Sequence, residues 1–250
     1  MSGRGSWSNI GGTFNYYGTL PGPYYRTPAA GTRYIGSWAP ADVNERAVVG
    51  AVKAYQQALV DRGITLGVDG IFGPTTRDAV VKFQQARGIT VDGIIGRTTS
   101  KMLLCPDLQS IIKAKIAQYP SLSFITPQIV CGEVSQESAW DAGAVGYSDP
   151  NDIGIAQING NAWPYTEEQR LDPKFAFAFI FDYFKTSIND SRINTVDDMI
   201  ISYNLGVGGA ARWASQGRPV EYYVSSTATT PRYPWSYINN VKTACKLPPR

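Results

Sequence analysis

The chain has 250 residues, 43% of them hydrophobic, with a formal charge of +3 and a pI near 8.7. That length can bury one substantial core and a small second one. So weak a positive charge excludes a nucleic-acid footprint, while it suits an anionic polymer such as a bacterial wall. Histidine is absent, which removes the usual general base of Ser and Cys hydrolases and the commonest zinc ligand.

Catalysis therefore falls to carboxylates, Tyr or Lys. Cys105, Cys131 and Cys245 are too few for a four-thiolate zinc site, and neither a metal nor another cofactor is expected. At most one disulfide can form within the chain. Spacing does not choose its partners, and three buried thiols is an equally good reading. No apolar run approaches the ~20 residues of a membrane span, and the amino terminus lacks the basic-then-apolar pattern of a secretory signal. Neither stable membrane insertion nor export by the usual route is expected.

Residues 1–41 are rich in Gly, Pro and Tyr and show no helical or alternating apolar pattern. Such composition favours an irregular arm. A docking arm is the sharper reading, because Trp7, Phe14, Tyr16, Tyr17, Tyr24, Tyr25 and Trp38 are costly to leave solvated and are favoured interface anchors. From Val43 the pattern turns helical. Val48, Val49, Val52, Tyr55, Gln56 and Leu59 put one face inward, with Asp42 as N-cap and Gly63 as stop.

An internal repeat follows. Val68-Asp69-Gly70-Ile71-Phe72-Gly73-Pro74-Thr75-Thr76 recurs as Val91-Asp92-Gly93-Ile94-Ile95-Gly96-Arg97-Thr98-Thr99, an offset of 23 (91 minus 68). Each Asp-Gly predicts a tight turn, the Thr-Thr a cap for the next helix, and Pro74 a helix entrance. Between the copies Ala79, Val80, Phe83, Gln84 and Arg87 predict an amphipathic helix ended by Gly88. The outcome is a small three-helix unit. Over residues 43–104 the chain resembles the type 1 peptidoglycan-binding domain, through this Val-Asp-Gly turn and Phe83-Gln84. The resemblance implies a module holding cell-wall muropeptide, with Asp69 and Gln84 as candidate contacts that also suit turn and core roles.

Cys105-Pro106 predicts a helix break, and Leu108, Ile111, Ile112 and Ile116 a short helix ending near Tyr119-Pro120. Pro127 then opens a helix in which Ile129, Val130, Val134, Glu137 and Ser138 recur at helical intervals, placing Glu137 on or beside the buried face. Burial would raise the pKa of such a carboxyl toward neutrality and let it donate a proton. Glu133, four residues earlier, is read as a solvated surface charge. Phe175–Phe184 and Val196–Tyr203 read as further core helices.

Three ordered blocks make this half resemble the soluble lytic transglycosylases, which share their core with goose-type lysozyme. Glu137-Ser138 matches that family's Glu-Ser, Gly154-Ile155-Ala156-Gln157-Ile158 its Gly-Leu-Met-Gln-Ile, and Ser202-Tyr203-Asn204-Leu205-Gly206-Val207-Gly208 its Ala-Tyr-Asn-x-Gly-x-Gly. Arg232-Tyr233 and Tyr237-Ile238-Asn239-Asn240-Val241 look like its Thr-Arg-x-Tyr-Val-x-x-Val element. The resemblance implies that Glu137 acts as acid and then base on the MurNAc–GlcNAc β-1,4 bond and leaves a 1,6-anhydro sugar. Gln157, Asn159 and Asn204 offer amides to N-acetyl groups and hydroxyls, Tyr203 and Tyr237 offer rings and phenols, and Ser138 could orient the acid.

Asp149 and Asp152 stand where goose-type lysozymes carry an acidic residue, so a hydrolase that places water with one of them is an alternative. In Asp149-Pro150-Asn151-Asp152 both residues also suit a turn. A third reading is an inert wall-binding or virion protein.

The expected architecture is mainly α: the arm over 1–41, the three-helix binding module over 42–105, and an all-helical lysozyme-like catalytic domain over 106–250. Peptidoglycan is the expected partner. The build and the missing signal suggest a phage product that acts in the host periplasm or wall, or rides on the virion. In that setting the arm over 1–41 would bind another phage structural protein.

Overall fold

The computed structural model describes residues 41–146 and 149–245, so the arm expected over the preceding residues lies outside them. Among the described residues the protein is mainly helical: α1 (Ala41–Asp61), α2 (Pro74–Arg87), α3 (Arg97–Gln118), α4 (Pro127–Glu137), α5 (Glu167–Leu171), α6 (Pro173–Ser187), α7 (Val196–Leu205), α8 (Val207–Ser215) and α9 (Pro234–Thr243). A two-stranded antiparallel hairpin, β1 (Asp152–Ile153) and β2 (Ile158–Asn159), interrupts the series, with Asp152 opposite Asn159 and Ile153 opposite Ile158. The mainly α architecture is as expected, with this short hairpin set into it. None of the described helices is long and apolar enough to cross a membrane.

Two compact units divide the described chain. The first holds residues 41–107 and 137–176, the second 108–136 and 177–245.

In the first unit α1 buries Ala47, Val48, Ala51, Val52, Tyr55, Ala58 and Leu59, the stripe that three- and four-residue spacing requires. The helix already includes Asp42, which is therefore not its cap. Gly63 stops it with φ +83°, and the N–H groups of Gly63 and Ile64 close back on Val60 and Leu59.

The repeat is locked by two glutamines. Gln56 Nε2 donates to Asp69 Oδ1 at 2.8 Å, to the Ile71 carbonyl at 3.1 Å and to Thr76 Oγ1 at 3.0 Å, while its Oε1 accepts the Gly70 N–H at 2.8 Å. Gln84 repeats the set on Asp92, Ile94, Thr99 and Gly93. Thr76 and Thr99 consequently lie inside α2 and α3 and serve these amides. Neither caps a helix: α2 starts from Gly73 with Pro74 in its first turn and no side-chain cap.

The expected break at Cys105-Pro106 does not occur, because α3 runs through Pro106. An interior proline costs a helix about 3 kcal/mol. Here Leu103, Leu104, Cys105, Leu108 and Ile112 are all buried on either side of an exposed Pro106, and their burial outweighs that cost. The residues expected to form a separate short helix are the end of α3.

In the second unit α4 and α9 meet at Gly132, where a Cβ would stand 2.0 Å from the Val241 carbonyl oxygen. A disulfide joins Cys131 of α4 to Cys245 just past α9, with a Cα–Cα distance of 5.7 Å, and Cys105 is buried outside that disulfide. α7 opens with a capping box of Thr195 and Asp198, and the buried Asp198 takes two bonds from Arg218 at 2.9 and 2.8 Å. Burial pushes the Asp198 carboxyl up, but the Arg218 and Thr195 hydrogen bonds outweigh it and hold the group below the usual carboxylate range. Phe177, Phe181 and Phe184 of α6 lie in the core, as the aromatic run predicts.

Two stability tests follow from these links. Cys245→Ser is expected to lower the unfolding free energy by about 2–5 kcal/mol, because a cross-link spanning 114 residues no longer restricts the unfolded chain; urea titration with and without reductant reads it. Gln84→Ala strands the buried Gly93 N–H and opens a void, for an expected loss of about 2–4 kcal/mol in the same assay.

Candidate active site

Glu137 is the last residue of α4 and the point at which the chain re-enters the first unit. It is 4% exposed, and Ser138 beside it is 1% exposed. The helical spacing thus places Glu137 inward, as expected. Glu133, one turn earlier, is also fully buried, which corrects its reading as a solvated charge. Within the second unit its Oε2 accepts the Tyr237 hydroxyl at 2.5 Å. The cause is tertiary: α9 closes on α4 at Gly132 and brings Tyr237 over a residue that local pattern leaves facing water.

After Glu137 the backbone turns sharply. Ala139 and Trp140 take φ of +53° and +72°, a region that costs a residue with a Cβ about 1–2 kcal/mol. Fixed partners compensate. Ser138 Oγ accepts the Trp140 N–H at 3.2 Å, and the Trp140 ring is fully buried. The Trp140 carbonyl accepts from Ser100 Oγ at 2.5 Å and from the Tyr55 hydroxyl at 3.3 Å. The Ala142 N–H donates to Tyr55 Oη at 3.0 Å.

Asp141 lies in the same turn and is not among the residues that the sequence motifs single out. It is fully buried, its Oδ1 accepts the Gly143 N–H at 2.9 Å, and burial pushes its carboxyl up to about 7 against the opposing pull of that hydrogen bond. The available signal was its place four residues after Glu137 together with Gly143 two residues on, the pattern of an Asx turn.

The block from Gly154 to Asn159 is the hairpin. Gly154 turns at φ +76°, and a Cβ there would stand 2.1 Å from the Arg170 carbonyl oxygen, so only glycine fits. Gln157 is buried and at φ +50°, and its Nε2 donates to the carbonyls of Gly154 at 3.0 Å and Ala144 at 3.2 Å. Its amide protons are therefore turned to the fold. Arg170 supports the hairpin by donating to the carbonyls of Asn151 at 2.7 Å and Ile158 at 3.2 Å. Underneath, Val145, Ile153 and Leu171 pack with Ala47 of α1.

Asp149 and Asp152 come together through Asn159, whose Nδ2 donates to Asp149 Oδ2 at 2.8 Å and Asp152 Oδ1 at 2.9 Å. Asp149 Oδ1 also accepts the N–H and the side-chain amide of Asn151. Both carboxylates are engaged in holding the turn and hairpin.

The remaining candidates belong to the second unit and to the three-helix module. In the second unit Tyr203 is buried edge-on against Tyr183 at 5.0 Å and near Phe179 and Phe184. Asn204 beside it is half-buried. In the binding module Gln84 is buried within its own network, while Asp69 is exposed; the hydrogen bonds from Gln56 and the Ile71 N–H hold its carboxyl below the usual range. Among the described residues no three of His, Cys, Asp and Glu stand together as a metal site would need.

Residues 49–103 match the family model described as "Putative peptidoglycan binding domain". That stretch, most of the three-helix module, is thus similar to peptidoglycan-binding domains. The chain is also 39% identical over 72 residues to a protein of Bacillus licheniformis named "Probable N-acetylmuramoyl-L-alanine amidase". That similarity covers 28% of this chain and 20% of that protein, so the chain spans only a fifth of the relative's length.

Asp141 sets a pH dependence. A carboxyl that titrates near 3.8 when unfolded and near 7 when folded keeps its proton longer in the native state. Its contribution is complete below about pH 4 and is lost as pH rises through 7. The melting temperature of the wild type minus that of Asp141→Asn should fall between pH 4 and 8; a difference that rises over this window contradicts the assignment.

Proposed function

We propose that this protein binds peptidoglycan through residues 49–103 and cleaves its glycan strands at the MurNAc–GlcNAc β-1,4 bond with Glu137 as the acid. The observation that carries the reading is the burial of Glu137 at the carboxyl end of α4. A carboxyl held out of bulk water is the kind of group that glycoside cleavage uses as its acid.

In the reaction Glu137 gives its proton to the glycosidic oxygen as the C1–O bond breaks, and positive charge develops on the muramoyl ring. The resulting carboxylate then takes the proton of the muramoyl C6 hydroxyl, whose oxygen bonds to C1. The product is a 1,6-anhydro end, and no water is consumed. The amides of Asn151 and Asn159 on Asp149 and Asp152 favour this route over a water-placing hydrolase, since both carboxylates already hold the fold. The sequence blocks shared with the soluble lytic transglycosylases support the same route. A wall-binding module joined to a glycan-cleaving site also fits a phage-encoded lysin acting on the host wall.

The amidase similarity favours a second reading, cleavage of the amide between sugar and peptide, and product chemistry separates the two. Mass spectrometry of digested sacculi is expected to find anhydro-muramoyl ends. Reducing ends would point to a hydrolase, and free stem peptides to an amidase. Glu137→Gln should lower the release of glycan fragments by about a hundredfold or more, the scale of losing a general acid, and undiminished release would sink the role of Glu137.

A further inference from the structure

We infer that the peptidoglycan-binding module also supplies positioning residues to the active site: Tyr55 of α1 and Ser100 of α3 clamp the turn that follows Glu137. This rests on the reading of Glu137 as the acid.

The geometry is direct. Two hydroxyls from the module converge on one backbone segment, 3.1 Å from each other. Ser100 Oγ and Tyr55 Oη both reach the Trp140 carbonyl, and Tyr55 Oη receives the Ala142 N–H. Tyr55, Ser100, Trp140 and Ala142 are all fully buried. The held segment needs holding, because Ala139 and Trp140 sit in the left-handed region, where an alanine and a tryptophan persist only when their surroundings fix them. The repeat's turns are held by Gln56 and Gln84 together with Asp69, Thr76 and Asp92. Ser100 follows Thr99 directly, so the residue that closes the Gln84 network and the residue that grips the turn are neighbours on α3.

The consequence for function is specific. A module that only tethers enzyme to wall raises the local concentration of an insoluble substrate and leaves turnover of a soluble one unchanged. A module that fixes the turn beside the acid governs turnover itself, since small displacements of a catalytic group are felt strongly.

The test uses the full chain with soluble, uncrosslinked glycan strands as substrate. Tyr55→Phe keeps the ring and removes the hydroxyl, Ser100→Ala removes the second donor, and Ser100→Thr restores it. Both deletions are expected to lower kcat by about tenfold or more with KM and co-sedimentation with intact sacculi unchanged, and Ser100→Thr should recover most of the loss. Ile112→Ala, a core truncation elsewhere on α3, controls for stability: it should lower the melting temperature and leave kcat in place. Amide exchange reads the clamp without any activity, and both deletions should speed exchange over residues 139–144. If Glu137→Gln proves as active as wild type, the acid is misassigned and the exchange result alone decides the clamp. Unchanged exchange, or unchanged kcat in an enzyme that needs Glu137, overturns the inference.

Discussion

Two buried side-chain amides hold the first unit in place, and the rest of its architecture follows from them. A glutamine amide offers two protons and two lone pairs, and Gln56 and Gln84 use both ends to bind an Asp-Gly turn to the threonine of the helix after it. Each bond is worth about 1 kcal/mol net, while an unmet partner in the interior costs more. The pins therefore act chiefly as a constraint on geometry. With α1, α2 and α3 fixed in this way, Tyr55 and Ser100 face one point, and the backbone beyond Glu137 is gripped there.

Much of this was legible in the sequence wherever a local rule had no strong competitor. The repeated Val-Asp-Gly turns, the glycine stops at Gly63 and Gly88 and the inward stripe of α1 all depend on neighbours within a few residues, and they stand as the pattern implies. The misreadings share one cause, which is tertiary packing. Pro106 stays helical because the apolar residues around it are buried, Thr76 and Thr99 answer to glutamines about a dozen or more residues away, and Glu133 is buried by a helix that lies a hundred residues on. Of the candidate site, the blocks at Glu137 and Gly154 could be read as motifs, and the burial of Glu137 followed from helical periodicity. The inward turning of the Gln157 amide and the engagement of Asp149 and Asp152 could not, because both depend on carbonyls and amides that a hairpin brings together.

The carboxyl groups in the stretch of chain around Glu137 show how environment divides one chemical type among several tasks. Glu133 accepts a phenol in the second unit, Asp149 and Asp152 share one asparagine amide, and Asp141 is pushed toward neutrality by burial. Glu137 is buried at the end of α4.

The two glutamine pins also differ in their spacing. In the first copy 13 residues separate the glutamine from its Asp-Gly turn, and in the second only 8, a difference of 5. Three of the five fall before the stop glycine, where 56 to 63 is 7 and 84 to 88 is 4, and two after it, where 63 to 69 is 6 and 88 to 92 is 4. The first copy is thus longer both in the helix that carries its glutamine and in the largely exposed coil from Gly63 to Gly67, which lies outside every bond of the pin. The same coil is the place at which a label or a short foreign sequence could be inserted with both pins intact.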